Sequence, residues 1–406
     1  MRAPAGDGLE FRLACACCVG WRVGADREGM RAILRERGFD GARFLRIIDR
    51  HRIAGLAQLA LGGVEDVPDE LRRELAGRAK GFARTNLGAA VLAGRLCRAL
   101  EEGGVRVVVM KGAALAVEAY GLLEARQSKD IDLRVGVENV DAAVAILREA
   151  GLQRVGPRMG SSAGQERLWR RYRKDFQFRQ EGSGLEVELH WRVVENAYLV
   201  PACFPGWDVV RVAVGPSIEL PCLSRRAQLP YLLVHGATHG WPRLKWLADV
   251  AALVEGMDAG EVRAVIGDGE RDGMGAMMQQ GLHLSAELLG VPAAGVLPAM
   301  DWRVRCLAGV GRTAVRAGGD VEEMTSEALA SAGVAASQFL LGWGVRFWLR
   351  EGFLRMNYPE GWERAGVPAG LQGFYFLVRV PVWAARQLRL WFAAQRRAAV
   401  ASGRSA

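Results

Sequence analysis

The sequence predicts an α+β protein: a small mixed β-sheet core embedded in helical N-terminal and C-terminal regions. Three observations carry that reading. Residues 1–95 and most of the chain after 200 space their apolar residues at helical intervals, as in "GFDGARFLRIIDRHRIAGLAQLAL". Between 96 and 200 the pattern changes to short apolar or alternating runs separated by helical ones. Two of those runs, "DFQFRQ" and "LEVELHW", are joined by "EGSG", a hairpin signal.

The elements follow in order. "VPDELRRELAGRAKGFARTNLGAAVLAGRLCRALEEGG" reads as a helix with Pro68 at its first turn. His51, among arginines, reads as a surface or groove histidine rather than a ligand. "VRVVVM" (105–110) is a buried strand, "AALAVEAYGLL" a helix, and "DIDLRV" an alternating strand. "NVDAAVAILREAGL" is a helix closed by Gly151. After Pro201 helices return: "RAQLPYLLVHGATHGW", then "RLKWLADVAALVEGM" beyond Pro242. "GVPAAGVLPAMDW" breaks the chain near 290–302, and the remainder is helical and rich in Trp and Arg. These shifts suggest four regions: helical 1–95, an α/β core at 96–200, a helical unit at 201–300 closing a cleft, and a basic, aromatic-rich helical region at 301–406.

A chain of 406 residues, 50% hydrophobic, buries a sizeable core. Its net charge of +9 suits polyanionic partners such as nucleotides, nucleic acid or anionic lipid, without choosing among them. Seven cysteines, an odd number, argue against a disulfide framework. Cys15, Cys17 and Cys18 have no second Cys/His pair at zinc-ligand spacing. Asp7, Glu10 and Arg12 make the N-terminus a poor secretory signal. The uncharged stretch 328–345 is diluted by Ser, Gly and Gln and reads as a core helix, not a membrane span. The expectation is a cytoplasmic protein.

The chemistry lies in the core. Side chains at i and i+2 of a strand leave one face, about 6.5–7 Å apart at Cα. Asp130 and Asp132 therefore converge while Ile131, Leu133 and Val135 pack inward. Either this is a solvated strand face completed by Arg134, or the two carboxylates hold a cation. Oxygen-only ligands suit Mg²⁺ or Mn²⁺. In "LEVELHW", Glu186, Glu188 and His190 share a face. If that strand lies beside "DIDLRV", a third carboxylate, Glu188 before Glu186, reaches the pair, as in-line phosphoryl chemistry with two metals requires. "MKGA" adds a turn where backbone N–H groups and a helix start meet a phosphate, with Lys111 as a point charge.

His235 and His239 lie on one helical face with Asp249 on the next helix. They read as cleft lining, a fixed helix–helix turn, or a second metal site. Arg243 and Lys245 are a solvated helix start or triphosphate contacts. His190 orients Glu188, touches substrate, or sits at the core edge.

With these residues in hand, the chain resembles the nucleotidyltransferase superfamily related to DNA polymerase β, and more closely an uncharacterised bacterial nucleotidyltransferase family. "KGAAL", Tyr120, Arg126, "DIDL", "ELHW" and "HGATHGWPRLKWLADVA" carry the resemblance, over roughly residues 80–260. It implies a metal-dependent enzyme moving an NMP from an NTP to an acceptor hydroxyl, with Mg²⁺ or Mn²⁺ as cofactor. Asp130, Asp132 and Glu188 would be both catalytic and metal-binding. Lys111, Gly112, Ala113, Arg126, Lys129 and Lys245 would bind the nucleotide. Two departures stand out: Gly112-Ala113 replaces the superfamily's Gly-Ser or Gly-Gly, and the third acid is Glu rather than Asp. The family's setting suggests peptide modification or polysaccharide biosynthesis, with a small molecule, peptide or protein as acceptor. Two alternatives remain: a non-catalytic nucleotide-binding scaffold or sensor of the same fold, and a nucleic-acid-binding protein. The tail "GFYFLVRVPVWAARQLRLWFAAQRRAAV" packs on the protein, rests on a membrane surface or binds a partner or nucleic acid.

Overall fold

The computed structural model describes residues 8–22, 24–157, 162–291, 295–317 and 328–357, with isolated positions between 371 and 381. The tail read near 373–400 falls outside it apart from those positions. Among the described residues, fifteen helices surround one seven-stranded mixed sheet, an α+β architecture with helices on both sides of the sheet.

Five helices come first: α1 (Leu9–Val19), α2 (Arg27–Arg35), α3 (Gly41–His51), α4 (Ala54–Leu61) and α5 (Asp69–Glu102). The last runs unbroken for 34 residues, with Pro68 at its N-cap. Asp69 and Glu70 occupy its first turn, where acidic side chains complement the helix dipole. There follow β1 (Val107–Val109), α6 (Ala113–Tyr120), β2 (Asp130–Val135), α7 (Val140–Glu149), β3 (Leu152–Gly156), α8 (Ala163–Tyr172), β4 (Asp175–Gln180) and β5 (Glu186–His190). Gly182 and Gly184, both with φ above +60°, make the turn between β4 and β5.

The strand order is β3-β4-β5-β2-β1-β7-β6, with β6 (Val209–Gly215) and β7 (Ile218–Leu223) on the far side of β1. The expectation that helices return directly after Pro201 is corrected here. Pro221 obscured the second strand, because a proline argues against a central strand. The sheet accommodates it because β1 meets β7 at one position, Val109↔Cys222. Helices then resume as α9 (Arg225–His239), α10 (Leu244–Glu255), α11 (Ala259–Arg271), α12 (Gly275–Leu289), α13 (Trp302–Ala317), α14 (Ala328–Ser337) and α15 (Val345–Met356). No helix among the described residues is long and apolar enough to cross a membrane.

In mid-sheet, β2 runs parallel to β5 and antiparallel to β1. The period of two then sorts the side chains. Ile131, Leu133, Val135, Val187 and Leu189 face a core shared with Phe176, Phe178, the Leu92–Leu96–Leu100 stripe of α5 and Leu147 of α7. Each fully buried leucine there is worth about 1.5–3 kcal/mol. On the opposite face, Val108 and Met110 join a second core built from the N-terminal helices and from α9, α10 and α12. The even-numbered residues of β2 and β5 point to this second side, so the polar groups sit between a sheet and a helical layer.

His51 is also corrected. It is fully buried at the end of α3, and its Nδ1 accepts the backbone N–H of Leu244 at 3.1 Å. Arg243, the N-cap of α10, makes no side-chain cap bond, so His51 satisfies one of that helix's open donors. Burial, then the neighbouring Arg50 and Arg243, hold its pKa well below the usual 6.5. A depressed histidine contributes stability that is present above the unfolded pKa and is lost as pH falls below it. The wild type is expected to lose up to about 1.4 kcal/mol per pH unit through this group on acidification below about pH 6.5. His51→Asn keeps an acceptor without the titration and should flatten that slope in denaturant midpoints measured down to about pH 5. An unchanged slope would remove His51 from the acid response.

Candidate functional site

The site begins where β1 ends. Met110 is held by backbone bonds, its N–H donating to Asp132 O and its carbonyl accepting Gln228 Nε2 of α9. Lys111 and Gly112 follow, and α6 starts at Ala113 without a side-chain cap. Gly112 adopts φ +76° and ψ −134°, a conformation that L residues rarely enter. Nothing nearer than 3.7 Å opposes a Cβ there, so strain, not collision, requires glycine. Gly112→Ala should cost about 1–3 kcal/mol, read as a lower denaturation midpoint. An unchanged midpoint would mean that the turn re-forms with an ordinary backbone.

Across β2 and β5 the register pairs Asp132 with Glu188 and Asp130 with Glu186. Glu186 is taken up by Arg179 of β4 at 2.9 Å, which leaves Glu188 as the acid facing Asp132. His190 Nε2 lies 3.3 Å from Asp132 Oδ1 and 3.2 Å from Glu188 Oε2. Lys111 Nζ lies 2.9 Å from the same Asp132 Oδ1. The other oxygen, Asp132 Oδ2, is buried and has no hydrogen-bond partner. Asp132, Glu188 and His190 offer ligand atoms all within 4.8 Å of one another, the one such cluster of three or more among the described residues. Asp130 stands two residues back along the strand, on the same face but outside that cluster.

This strand face is buried at Asp132, Arg134 and His190 and part-exposed at Asp130, Glu186 and Glu188. The Asp132 side chain is 1% exposed, and Arg134 is buried beneath Trp207, its Nη1 donating to Gly206 O at 2.7 Å. Removal of Asp132 therefore is not the innocuous change that a lone strand-face acid would suggest. Burial alone would raise its pKa, but Lys111 and His190 hold it well below the carboxylate range. Burial opposes charge on His190, yet its bonds to Asp132 and Glu188 and the nearby Asp175 raise its pKa to about 9. Lys111 is likewise held protonated against burial, chiefly by Asp132.

The sequence did not single out Tyr231 or Asp175. Tyr231 of α9 is buried, and its hydroxyl is pushed up by burial and by the charges of Asp132, Glu188 and Asp130 against that of Lys111. Asp175 opens β4 directly opposite His190. "KDFQF" marks it as one end of an alternating run, but the cross-strand register is not readable from it.

The remaining candidates do not converge on the acids. Arg126 Nε donates to both oxygens of Asp249, at 3.0 and 2.9 Å, and Tyr120 OH donates to Asp249 Oδ1 at 2.9 Å. Arg126 Nη1 reaches Ser128, whose N–H donates to Asn86 Oδ1 of α5. Lys245 is buried, its Nζ donating to Gln127 O at 3.1 Å. Burial and then Arg126 lower its pKa well below the usual lysine value, against the pull of Asp130. Arg243 donates to Arg50 O. Lys129 is exposed. His235 and His239 pack on each other at 4.6 Å and on Trp246 at 5.1 and 5.3 Å, apart from Asp249's network.

Chemically, oxygen donors on adjacent strands beside a glycine-led helix start make a class of site suited to a cation held against phosphate. The chain belongs to the uncharacterised nucleotidyltransferase family, whose model matches residues 37–290. That span takes in α3 through α12 and the whole sheet. No curated protein matches the chain.

Proposed function

We propose that the chain is a divalent-cation-dependent nucleotidyltransferase that moves a nucleoside monophosphate from an NTP to a hydroxyl of a small molecule, peptide or protein. One observation carries the reading: Asp132 and Glu188 stand side by side on parallel strands, with a buried Asp132 oxygen left without a partner, next to the Lys111–Gly112 turn. A buried, unsatisfied carboxylate oxygen is costly unless something binds it. The residues fit Mg²⁺ or Mn²⁺, with Asp132 and Glu188 as ligands and Asp130 two residues along the strand. Such a cation would neutralise phosphate charge and favour in-line displacement.

The chain's own groups do the rest. Backbone N–H groups at the start of α6 bind phosphate oxygens, and Lys111 adds positive charge beside them. Tyr231, buried on α9, stands close enough to Asp132, Glu188 and Lys111 to feel their charges. The acceptor hydroxyl gives its proton to a carboxylate of the site, Glu188 being the part-exposed one, as its oxygen bonds to the α-phosphorus. The bridge to the β-phosphate breaks, and pyrophosphate carries away the electron pair. Catalysis on this reading is positioning and charge neutralisation.

A scaffold or sensor of the same fold is the second reading. It is favoured by the Lys111 ammonium, which already occupies Asp132, and by Ala113, which offers no hydroxyl to phosphate. One experiment separates the two: each of the four NTPs is mixed with the full chain, Mg²⁺ or Mn²⁺ and a pool of hydroxyl-bearing small molecules, peptides and proteins as acceptors, and thermal shift and pyrophosphate release are read together. Transfer predicts both signals and their loss with chelator. Stabilisation without pyrophosphate would favour the sensor, and no response to any NTP would sink both.

A further inference from the structure

The tightest cluster of candidate ligand atoms contains an imidazole as well as two carboxylates. Three adjacent strands build it. β2 supplies Asp132, β5 supplies Glu188 and His190 two residues apart on one face, and β4 supplies Asp175 directly opposite His190. The His190 ring turns Nε2 to the two acids and Nδ1 toward Asp175, whose Oδ2 is 4.0 Å away. The ring is 6% exposed and Asp175 2%, so neither side chain is available to bulk solvent. One Asp175 oxygen, Oδ1, is buried without a hydrogen-bond partner, although Arg173 Nη2 lies 3.9 Å from it. Asp130, by contrast, is not part of the cluster.

We infer that His190 is itself a ligand of the cation, through Nε2, with Asp175 as the positioning residue behind the ring, giving a mixed oxygen–nitrogen donor set that selects Mn²⁺ over Mg²⁺. The inference rests on the nucleotidyltransferase reading for the presence of a cation, and goes beyond it in naming the donor set and the metal. Two features carry it. The Nε2 atom already sits at the point where Asp132 and Glu188 converge, so a cation bound between these acids takes the place of the proton carried there and meets the nitrogen lone pair. A carboxylate behind the other ring nitrogen is the usual arrangement for holding a metal-bound histidine in one orientation. Hard Mg²⁺ prefers oxygen and keeps its waters, whereas first-row transition ions accept imidazole.

The test is Mn²⁺ alone, added to the metal-free full chain and followed by electron paramagnetic resonance. Bound Mn²⁺ should show coupling to a ¹⁴N nucleus, and labelling the wild type with ¹⁵N-histidine should change that coupling without any substitution. His190→Gln should abolish the nitrogen signal and weaken Mn²⁺ binding by at least about tenfold, while Mg²⁺ binding changes less. Asp175→Asn should keep the nitrogen signal but weaken Mn²⁺ binding by about 10- to 100-fold. Bound Mn²⁺ with no nitrogen coupling in the wild type would overturn the inference and leave the nucleotidyltransferase reading standing. Failure of the wild type to bind Mn²⁺ at all would overturn both.

Discussion

Asp132→Asn is expected to reduce nucleotidyl transfer by at least about 10²-fold and to destabilise the protein at the same time. Both effects come from one geometry. Asp132 is nearly inaccessible, and Lys111 Nζ lies 2.9 Å from it with only 12% of the lysine side chain exposed. An amide there leaves an ammonium buried without its counter-charge, which costs about 3–5 kcal/mol. Loss of activity in the single variant is therefore ambiguous, since an unfolded protein is also inactive. Adding Lys111→Met removes the stranded charge. Replacing both members of a buried pair by apolar or neutral groups is often neutral or stabilising. The double variant should recover the wild-type denaturation midpoint and remain without transfer. A stable double variant with undiminished transfer would show that neither residue serves the chemistry.

The sequence exposed this site unevenly. The period of two in "DIDLRV" and "LEVELHW" was enough to separate polar from apolar faces, because each strand is apolar on one side and acid-bearing on the other. It did not say that the two strands are parallel neighbours, nor that Asp132 meets Glu188 rather than Glu186. Register is a property of the pairing, and a one-residue slip would have sent every acid to the other face. Burial was also hidden. Nothing local to "DIDL" reports that Lys111 and His190 close on Asp132, so the strand face looked solvated. The β6–β7 hairpin was missed for a different reason, since Pro221 violates the local rule and only the short contact with β1 makes it tolerable. His51 was misplaced because its partner, the start of α10, lies 193 residues away.

The residues Tyr120, Arg126 and Asp249 make the sharpest case, and they lead to the largest stability effect expected away from the acids. In the sequence they are scattered across three segments, and Arg126 invites a phosphate-binding role. In the fold they form one buried network that ties the end of α6 and the approach to β2 onto α10. Asp249 is 0% exposed and the Arg126 side chain 3%. Asp249→Asn leaves the guanidinium charged, since arginine does not deprotonate in proteins, and should cost about 3–5 kcal/mol. Because Arg126 O also accepts Asn86 Nδ2 at 2.7 Å, loosening this pair should disturb the segment that leads into Asp130 and Asp132. The pair-swap Arg126→Met with Asp249→Leu should regain most of the stability, for the same reason as at Lys111 and Asp132. Its KM for NTP decides what the network is for. A value within a few-fold of wild type marks Arg126 as a support for the acid-bearing strand. A stable double variant that bound NTP far more weakly would return Arg126 to the nucleotide itself, and the cleft would then extend from the acids to α10.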